Sequence, residues 1–202
     1  QQLHANDIIC TLHGAARSLL TGERTAMNFI QTLSATATVT RQYVDQVKGI
    51  DVQILDTRKT IPNLRLAQKY ATLCGGGHNH RIGLYDGILI KENHIQAAGS
   101  ISAAVQQART LHPDILIEVE VENITEMQEA LSVNTDIILL DNFDIPHLID
   151  AVRLNKGQAQ LESSGGITLA GLREIAQTGV NRISIGALTK DIQAIDLSMR
   201  FV

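Results

Sequence analysis

The chain has 202 residues, enough for one substantial hydrophobic core but too few to favour two. Hydrophobic residues make up 44% of it and charged residues 19%, the balance of a globular protein rather than a disordered one. The formal net charge of -4 argues against nucleic acid as the main partner.

Cysteine content and apolar runs bear on the compartment. Cys10 and Cys74 are too few for a disulfide framework, which favours a reducing compartment. Nothing in the sequence resembles a signal peptide, and no apolar run approaches the roughly 18 residues of a membrane span. We therefore expect a cytoplasmic protein with no membrane partner.

The first part of the chain differs in pattern from the rest. Residues 7–14, DIICTLHG, predict a strand with no evident partner, so residues 1–22 are expected to be the remnant of a preceding domain and its linker. Residues 20–47 have the spacing of a long helix, with Thr21 as the N-cap residue and a break considered near residues 34–40.

From residue 52 onward, short β-rich runs alternate with segments of helical spacing. The predicted strands cover residues 52–59, 87–94, 115–122, 136–142, 159–166 and 182–189. The predicted helices cover residues 101–111, 125–131, 145–154, 169–178 and 191–200. The last four strands begin roughly 21 to 23 residues apart, a spacing typical of βα units and of a parallel sheet.

The strand IEVEVE, within residues 115–122, helps to decide between an open sheet and a barrel. Its isoleucine and valines fall on one face and Glu118, Glu120 and Glu122 on the other. A central strand covered by helices on both sides should be apolar on both faces, whereas a barrel strand turns one face to the lumen. The sequence therefore predicts an α/β fold, an incomplete parallel β/α barrel of TIM-like type with six to seven strands.

Charged side chains follow most of the predicted strands, and in a barrel these positions meet at one mouth. Glu120 and Asp141 form an acidic group that suits Mg²⁺ or the hydroxyls of a ribose. A basic group suits a small ligand with several negative charges: Arg58, Lys59, His80, Arg81 and Lys91. Gly-rich turns before helices offer backbone N–H groups to a phosphate at Ser164, Gly165, Gly166 and Gly186.

The stretch LCGGGHNHRIGLYDG, residues 73–87, allows two interpretations. Cys74, His78, His80 and His94 form a candidate zinc ligand set, although an H-x-H pair is an unspecific signal. The nearby arginines and lysines would repel a divalent cation from the same pocket. An anion cradle is therefore favoured, in which the glycines let the backbone bring His80 and Arg81 over an anionic ring.

Several stretches together resemble the quinolinate phosphoribosyltransferase family. They are ERTAMNFIQTLS, ILDTRKTIPNLR, KYATLCGGGHNHRIGLYDGILIKENHI, IEVEVEN, LLDN, LESSGGI and ISIGALTKDIQAIDLS. The resemblance runs from about residue 14 to the C-terminus. The combination of DTRKT, GGGHNHR and KENHI within it is highly specific.

The resemblance implies an enzyme of NAD biosynthesis. Such an enzyme converts quinolinate and phosphoribosyl pyrophosphate into nicotinate mononucleotide, pyrophosphate and CO₂, using Mg²⁺. It also implies an N-terminal α/β domain packed against the barrel, which residues 23–202 would form. Most of that domain is expected to be missing here, and the chain is expected to be inactive alone.

The resemblance further implies roles for individual residues. Arg24 matches the arginine that enters the partner's site in a homodimer. Pyridine dicarboxylate binding carries over to Arg58, Lys59, His80, Arg81 and Lys91. Contacts to phosphoribosyl pyrophosphate carry over to Lys59, Lys91, Glu120 and Asp141, and the catalytic roles fall to the same four residues. Glu120 and Asp141 would be the Mg²⁺ ligands. The 5-phosphate carries over to Ser164, Gly165, Gly166 and Gly186.

Three alternatives remain at the level of sequence. A paralogue of the same fold, encoded in molybdenum-gene clusters, would keep the barrel with a different substrate. A zinc hydrolase would use Cys74, His78 and His80. A ligand-sensing barrel without activity would need strand ends that lack catalytic groups, and the intact set of charges argues against it.

Overall fold

The computed structural model describes residues 2–201 and contains six strands in one all-parallel sheet. The strands are β1 (Gln53–Leu55), β2 (Ile88–Ile90), β3 (Ile117–Val121), β4 (Ile137–Asp141), β5 (Gln160–Ser164) and β6 (Arg182–Ser184). Each lies within a segment predicted to be a strand, so the predicted parallel sheet is confirmed.

The strand order β1-β6-β5-β4-β3-β2 is that of a barrel opened between β1 and β2. The first and last strands are neighbours, with Ile54 of β1 beside Ile183 of β6. At the free edge of β1, Leu55 makes an isolated parallel bridge with His78, so a short additional segment begins to fill the gap. The expected incomplete β/α barrel is thereby confirmed.

Helices connect and flank these strands. They are α1 (Ala16–Gln46), α2 (Arg65–Cys74), α3 (Glu92–Ala98), α4 (Ile101–Leu111), α5 (Ile124–Ser132), α6 (Ile145–Asn155), α7 (Leu172–Gln177) and α8 (Ala187–Lys190). The four predicted helices from residue 101 to residue 178 correspond to α4–α7. Side-chain oxygens of Ser100, Asn123 and Asp144 accept hydrogen bonds from backbone N–H groups of the first turn and start α4, α5 and α6.

The N-terminal predictions were partly wrong. Residues 7–14 form no strand and are exposed, because no sheet edge lies beside them to pair with. The long helix is confirmed but begins earlier, at Ala16, and continues without a break to Gln46. Thr21 is therefore inside the helix and not its N-cap; its hydroxyl donates to the carbonyl of Arg17 at 2.7 Å.

Other differences concern helices near the strand ends. Residues 191–200 form no helix, although their apolar spacing suggested one; Ile195 N–H instead donates to Gln31 O of α1 at 3.2 Å. Both α2 and α3 were missed. The buried residues of α2 include Gln68, Lys69 and Thr72, so its inner face lacks the apolar stripe by which helices are recognised.

Residues of β3 divide between the core and the lumen. Ile117, Val119 and Val121 are completely buried and belong to the hydrophobic core together with Met127 of α5 and Leu148 of α6. Glu118 and Glu120, on the opposite face, point to the lumen, whereas Glu122 lies past the end of β3 and is exposed. The barrel wall is thus apolar outside and charged inside. None of the helices within residues 2–201 is long and apolar enough to cross a membrane.

Candidate active site

A cavity of about 840 Å³ opens at the carboxyl ends of the strands. Seven of the predicted site residues line it: Arg58, Lys59, His80, Arg81, Lys91, Glu120 and Ser164. Thr57 and Ser184 also contribute to its wall. Strand ends that are far apart in sequence thus meet in one pocket, as the barrel predicts.

A second cavity, of about 500 Å³, lies near the amino ends of β4, β5 and β6. Asn134, Asp136, Asn155 and Asn181 are among its lining residues. The charge of Asp136 is already neutralised by Arg109, whose Nη2 donates to Asp136 Oδ2 at 2.7 Å. Because this cavity lacks the charged residues that chemistry requires, we assign the site to the cavity at the carboxyl ends.

Arginine side chains give the cavity its basic character. Arg58 follows β1, and Arg81 lies on the loop after the His78 bridge, where its Nη1 donates to Gly87 O at 3.1 Å. Burial and the neighbouring Arg58 lower the pKa of Arg81. The buried Nε of Arg58 has no hydrogen-bond partner among residues 2–201. An anion bound here would supply the missing charge and acceptor.

Lys91 joins the basic and acidic sides of the cavity. Its Nζ donates to Glu120 Oε2, and its side chain remains 42% exposed. Lys59 lies on the other side of the mouth, with its Cδ 3.2 Å from the position that a Cβ on Gly186 would take. Both lysines can therefore reach a ligand in the cavity while Glu120 keeps one of them close to the lumen.

His80 was predicted to face the ligand with the other basic residues, but its ring also reaches into the lumen. Its Nε2 lies 2.9 Å from Glu118 Oε2 and 3.4 Å from Glu162 Oε1. Burial lowers the pKa of His80, but hydrogen bonds and charges of both carboxylates outweigh burial and raise that pKa to about 9. Its Nδ1 lies 2.8 Å from Arg81 N, and it can accept a hydrogen bond from this N–H in the neutral form of the ring.

The lumen carboxylates themselves differ. Burial raises the pKa of Glu118 despite the hydrogen bond from His80. For Glu162, burial is outweighed by His80 and Arg182, and its pKa is lowered. Arg182 Nε lies 2.9 Å from Glu162 Oε2. Behind the His80 ring, which lines the cavity, there is therefore an ion-pair cluster in which Glu162 carries the more stable negative charge.

The side chains close enough to share a metal ion, among the residues described, are His80, Glu118 and Glu162. This is not the predicted zinc set, since Cys74 and His78 are exposed away from it. Arg182 beside Glu162 and a proton on the His80 ring oppose a cation at this position. We therefore interpret the cluster as an ion-pair network and not as a metal site.

The predicted Mg²⁺ ligands come from neighbouring strands. Glu120 pairs in register with Leu139, and Asp141 lies two residues further along β4, so both carboxylates point to the lumen side. Asp141 Oδ2 accepts from Asn142 Nδ2 at 2.7 Å. Carboxylate oxygens at a solvent-accessible mouth fit Mg²⁺, which keeps several of its waters.

The predicted phosphate turn lies beside Asp141. Ser164 pairs in register with Asp141, and Gly165 follows with φ +102°. A Cβ at Gly165 would lie 2.1 Å from Asn142 Oδ1, so no other residue fits without a shift. Arg24, by contrast, is exposed on α1 and lies outside the lining of the cavity, as do Asp141, Gly165, Gly166 and Gly186.

The triple glycine has a packing function that sequence alone did not indicate. A Cβ at Gly75 would lie 2.5 Å from Ala37 O of α1, and one at Gly77 would lie 2.8 Å from Thr40 Cγ2. Gly76 has φ +88°. The glycines thus let the end of α2 turn directly against α1, which starts the loop toward His80.

Sequence reasoning missed several residues that shape the site. Glu162 and Arg182 pair behind the His80 ring, and Lys69 of α2 is buried against Asp56. The positions of Glu162 and Arg182 within short predicted strands could have indicated that their side chains face the lumen. For Lys69 no such signal exists, because a lysine in a helical segment usually lies on the surface.

Comparisons with known proteins agree with this geometry. The family model described as "Quinolinate phosphoribosyl transferase, C-terminal domain" matches residues 36–200. A "Probable nicotinate-nucleotide pyrophosphorylase [carboxylating]" of Bacillus subtilis is 46% identical over 198 residues, which are 98% of this chain and 68% of that protein. The corresponding protein of Mycobacterium leprae is 42% identical over 98% of this chain and 71% of its own length.

Solved structures show the same similarity. The nicotinate-nucleotide pyrophosphorylase of Francisella tularensis superimposes with a TM-score of 0.89 and 53% identity, covering 91% of this chain and 65% of that one. NadC of Streptococcus pyogenes has a TM-score of 0.90 and 42% identity, with 93% and 66% covered. The chain thus spans about two thirds of the length of these relatives.

Fold and cavity together define an α/β-barrel protein with a charged ligand pocket at the carboxyl ends of its strands. The chain belongs to the quinolinate phosphoribosyl transferase family, and it contains that family's C-terminal domain. The resemblance predicted from the sequence motifs is confirmed.

Proposed function

We propose that this chain carries the barrel of a carboxylating nicotinate-nucleotide pyrophosphorylase. This enzyme transfers phosphoribose from phosphoribosyl pyrophosphate to quinolinate and releases pyrophosphate and CO₂, a step of NAD biosynthesis. One observation carries the proposal: the basic residues Arg58, Lys59, Arg81 and Lys91 line the same cavity as Glu120. The names of the relatives support the same reaction.

Quinolinate recognition falls to the basic side of the cavity. Arg58 and Arg81 bind its two carboxylates, because a planar guanidinium pairs with a carboxylate through two hydrogen bonds. His80 and Lys91 add positive charge at the cavity wall. These contacts accelerate the reaction mainly by aligning the pyridine nitrogen with ribose C1. Two substrates held in the reacting geometry no longer have to meet in solution.

Phosphoribosyl pyrophosphate lies across the acidic side and the glycine turns. Departure of pyrophosphate builds positive charge on the ribose, which the carboxylates of Glu120 and Asp141 stabilise. The 5-phosphate binds at Ser164, Gly165, Gly166 and Gly186. Lys59 and Lys91 offset the negative charge that grows on the leaving group.

Glu120 and Asp141 would also hold Mg²⁺. The ion, when bound, neutralises pyrophosphate and orients it for departure. After the new bond to ribose forms, the carboxylate beside the ring nitrogen leaves as CO₂. The electron pair stays on that ring carbon, where the positive nitrogen stabilises it, and the carbon then takes up a proton from solvent. The side chains need supply no nucleophile for either step.

A homodimer would complete the site. In this arrangement Arg24 of one subunit enters the cavity of its partner, consistent with its exposure on α1. Phe29 and Ile30, on the same helix, are large apolar residues with exposed side chains that a partner would cover. An N-terminal α/β domain, and a cytoplasmic location, belong to the same proposal.

The test is release of CO₂ and pyrophosphate with quinolinate, compared with nicotinate as acceptor. Quinolinate should react and nicotinate should not, because nicotinate lacks the second carboxylate, which the basic side of the cavity binds and which leaves as CO₂. Turnover with nicotinate alone would contradict the proposal and favour a paralogue.

Variants locate the acceptor site. Lys91→Ala and Arg81→Ala should each abolish measurable quinolinate binding, since each removes a cation from the cavity wall. Lys48→Ala, at an exposed position on the turn after α1, is the control and should bind normally. Near-normal turnover in either cavity variant would show that quinolinate binds elsewhere.

A further inference from the structure

A buried ion pair lies behind the loop that carries His80 and Arg81. Lys69 of α2 is 2% exposed and Asp56, directly after β1, is completely buried. Lys69 Nζ lies 2.5 Å from Asp56 Oδ1. Neither residue lines the cavity, so the pair has no direct contact with a ligand there.

The pair holds both polar groups of His80's backbone. His80 N–H donates to Asp56 Oδ1 at 2.9 Å, and Lys69 Nζ donates to His80 O at 2.8 Å. With its side-chain nitrogen turned toward these oxygens, Asn79 donates to Asp56 Oδ2 at 2.8 Å and to Lys69 O at 2.9 Å. Two successive residues of the loop are therefore fastened to one ion pair.

These contacts continue the sheet where its backbone ladder stops. His78 N–H donates to Ile54 O at 2.8 Å and Asp56 N–H donates to His78 O at 3.1 Å, as in a parallel ladder. One step further, the side chain of Asp56 accepts the His80 N–H in place of a backbone carbonyl. The chain can then leave the sheet edge and turn over the cavity without losing its anchor.

The contacts of Asp56 and Lys69 with the His80 backbone also determine the position of Arg81. Arg81 follows His80 directly, and its own backbone N lies 2.8 Å from His80 Nδ1. Its guanidinium reaches across to Gly87 O. A shift of the His80 peptide would move both the imidazole in the lumen and the guanidinium in the cavity.

Stability alone does not account for the pair. A buried ion pair is often no more stabilising than well-packed apolar residues of the same volume, because both charges lose their hydration. What apolar residues could not do is donate to one side of a peptide and accept from the other. The distinguishing property of Asp56 and Lys69 is thus geometric.

We propose that Asp56 and Lys69 are positioning residues that set the place of the His80 peptide, and through it the Arg81 guanidinium, for the carboxylates of the acceptor. This inference rests on the proposed function for its substrate. They act on acceptor binding. Of the groups assigned to phosphoribosyl pyrophosphate, Lys59 shares the end of β1 with Asp56, but Lys91, Glu120, Asp141 and the glycine turns follow other strands, so binding of this substrate should change little.

The main test is the double variant Asp56→Leu/Lys69→Met, which removes both charges and both side-chain groups that hydrogen-bond to the His80 peptide. Single variants would leave one buried charge without its partner and are expected to unfold the barrel. We expect the KM for quinolinate of the double variant to rise at least about tenfold, since small misplacements of binding groups are costly. The KM for phosphoribosyl pyrophosphate should stay within about twofold of the parent.

Thr72→Val provides the matched control. Thr72 is also completely buried on α2, but its hydroxyl donates only to Gln68 O of the same helix among the residues described. A generally loosened α2 would raise both KM values in both variants. A double variant with an unchanged quinolinate KM, or with both KM values raised equally, would overturn the proposal.

Hydrogen exchange of the parent provides a readout that depends on neither activity nor variant folding. The His80 amide should exchange at least about a hundredfold more slowly than an unprotected amide, because its acceptor is a buried carboxylate. Fast exchange of the His80 amide would refute the positioning role of Asp56 and Lys69 even if quinolinate turnover is normal. In a protein that also carries the expected N-terminal domain, absence of turnover with a protected His80 amide would refute the proposed function and leave the positioning role of Asp56 and Lys69 standing.

Discussion

Titration of His80 offers a direct test of the charged lumen. The groups that face its ring are Glu118 of β3 and Glu162 of β5, and Arg182 of β6 pairs with Glu162. An exposed imidazole has a pKa of about 6.5, whereas the pKa of His80 is raised to about 9. The folded protein therefore binds a proton that the unfolded chain releases between these values.

The sign and size of the effect follow from this difference. Because the pKa is higher in the folded state, the stabilisation is complete below about pH 6.5 and is lost as the pH rises through about 9. At about 1.4 kcal/mol per pKa unit, the difference is worth at most about 3 kcal/mol. Because the linkage depends only on the two pKa values, we expect a loss of about 3 kcal/mol as the pH rises through this range.

Urea unfolding between pH 6 and pH 9.5 measures this loss. The comparison is with His80→Gln, in which the free energy of unfolding should depend less on pH. Nuclear magnetic resonance of the ring protons supplies the pKa itself. Parallel curves for the parent and His80→Gln, or a His80 pKa below 7, would refute the account of the lumen.

Three further predictions concern the turn, the metal site and the core. Gly165→Ala should lower the free energy of unfolding by more than about 2 kcal/mol, and by more than Gly99→Ala does. Both glycines have positive φ, but of the two only Gly165 lacks space for a Cβ. Equal losses for the two variants in urea unfolding would contradict this. Asp141→Asn should raise the Mg²⁺ concentration for half-maximal turnover at least about tenfold, and an unchanged Mg²⁺ titration would exclude Asp141 as a ligand. Leu148→Ala should lower the free energy of unfolding by about 2–5 kcal/mol, since Leu148 is completely buried. A loss below about 1 kcal/mol in the same assay would show that neighbouring core residues fill the space left by the leucine side chain.

Local pattern predicted the barrel strands because each is a short β-rich run, and in β3 apolar and charged residues also alternate. In β3 the apolar residues face the helices and the glutamates face the lumen, a pattern that few other structures produce. Helices with an apolar stripe and a capping residue, such as α5 after Asn123, were predicted for the same reason. Pattern failed for α2, whose inner face carries Gln68 and Lys69, and for residues 191–200, whose apolar spacing was mistaken for that of a helix.

The sequence by itself determined which charged groups stand at the strand ends, and these groups predict a site for a ligand with several negative charges. Only the tertiary structure decided which of these groups face one another. His80 meets Glu118 and Glu162, and Lys69 meets Asp56, across large separations in the chain. Such pairs depend on the register between strands and on the docking of α2, which are properties of the whole packed barrel and leave no trace in any local stretch of residues.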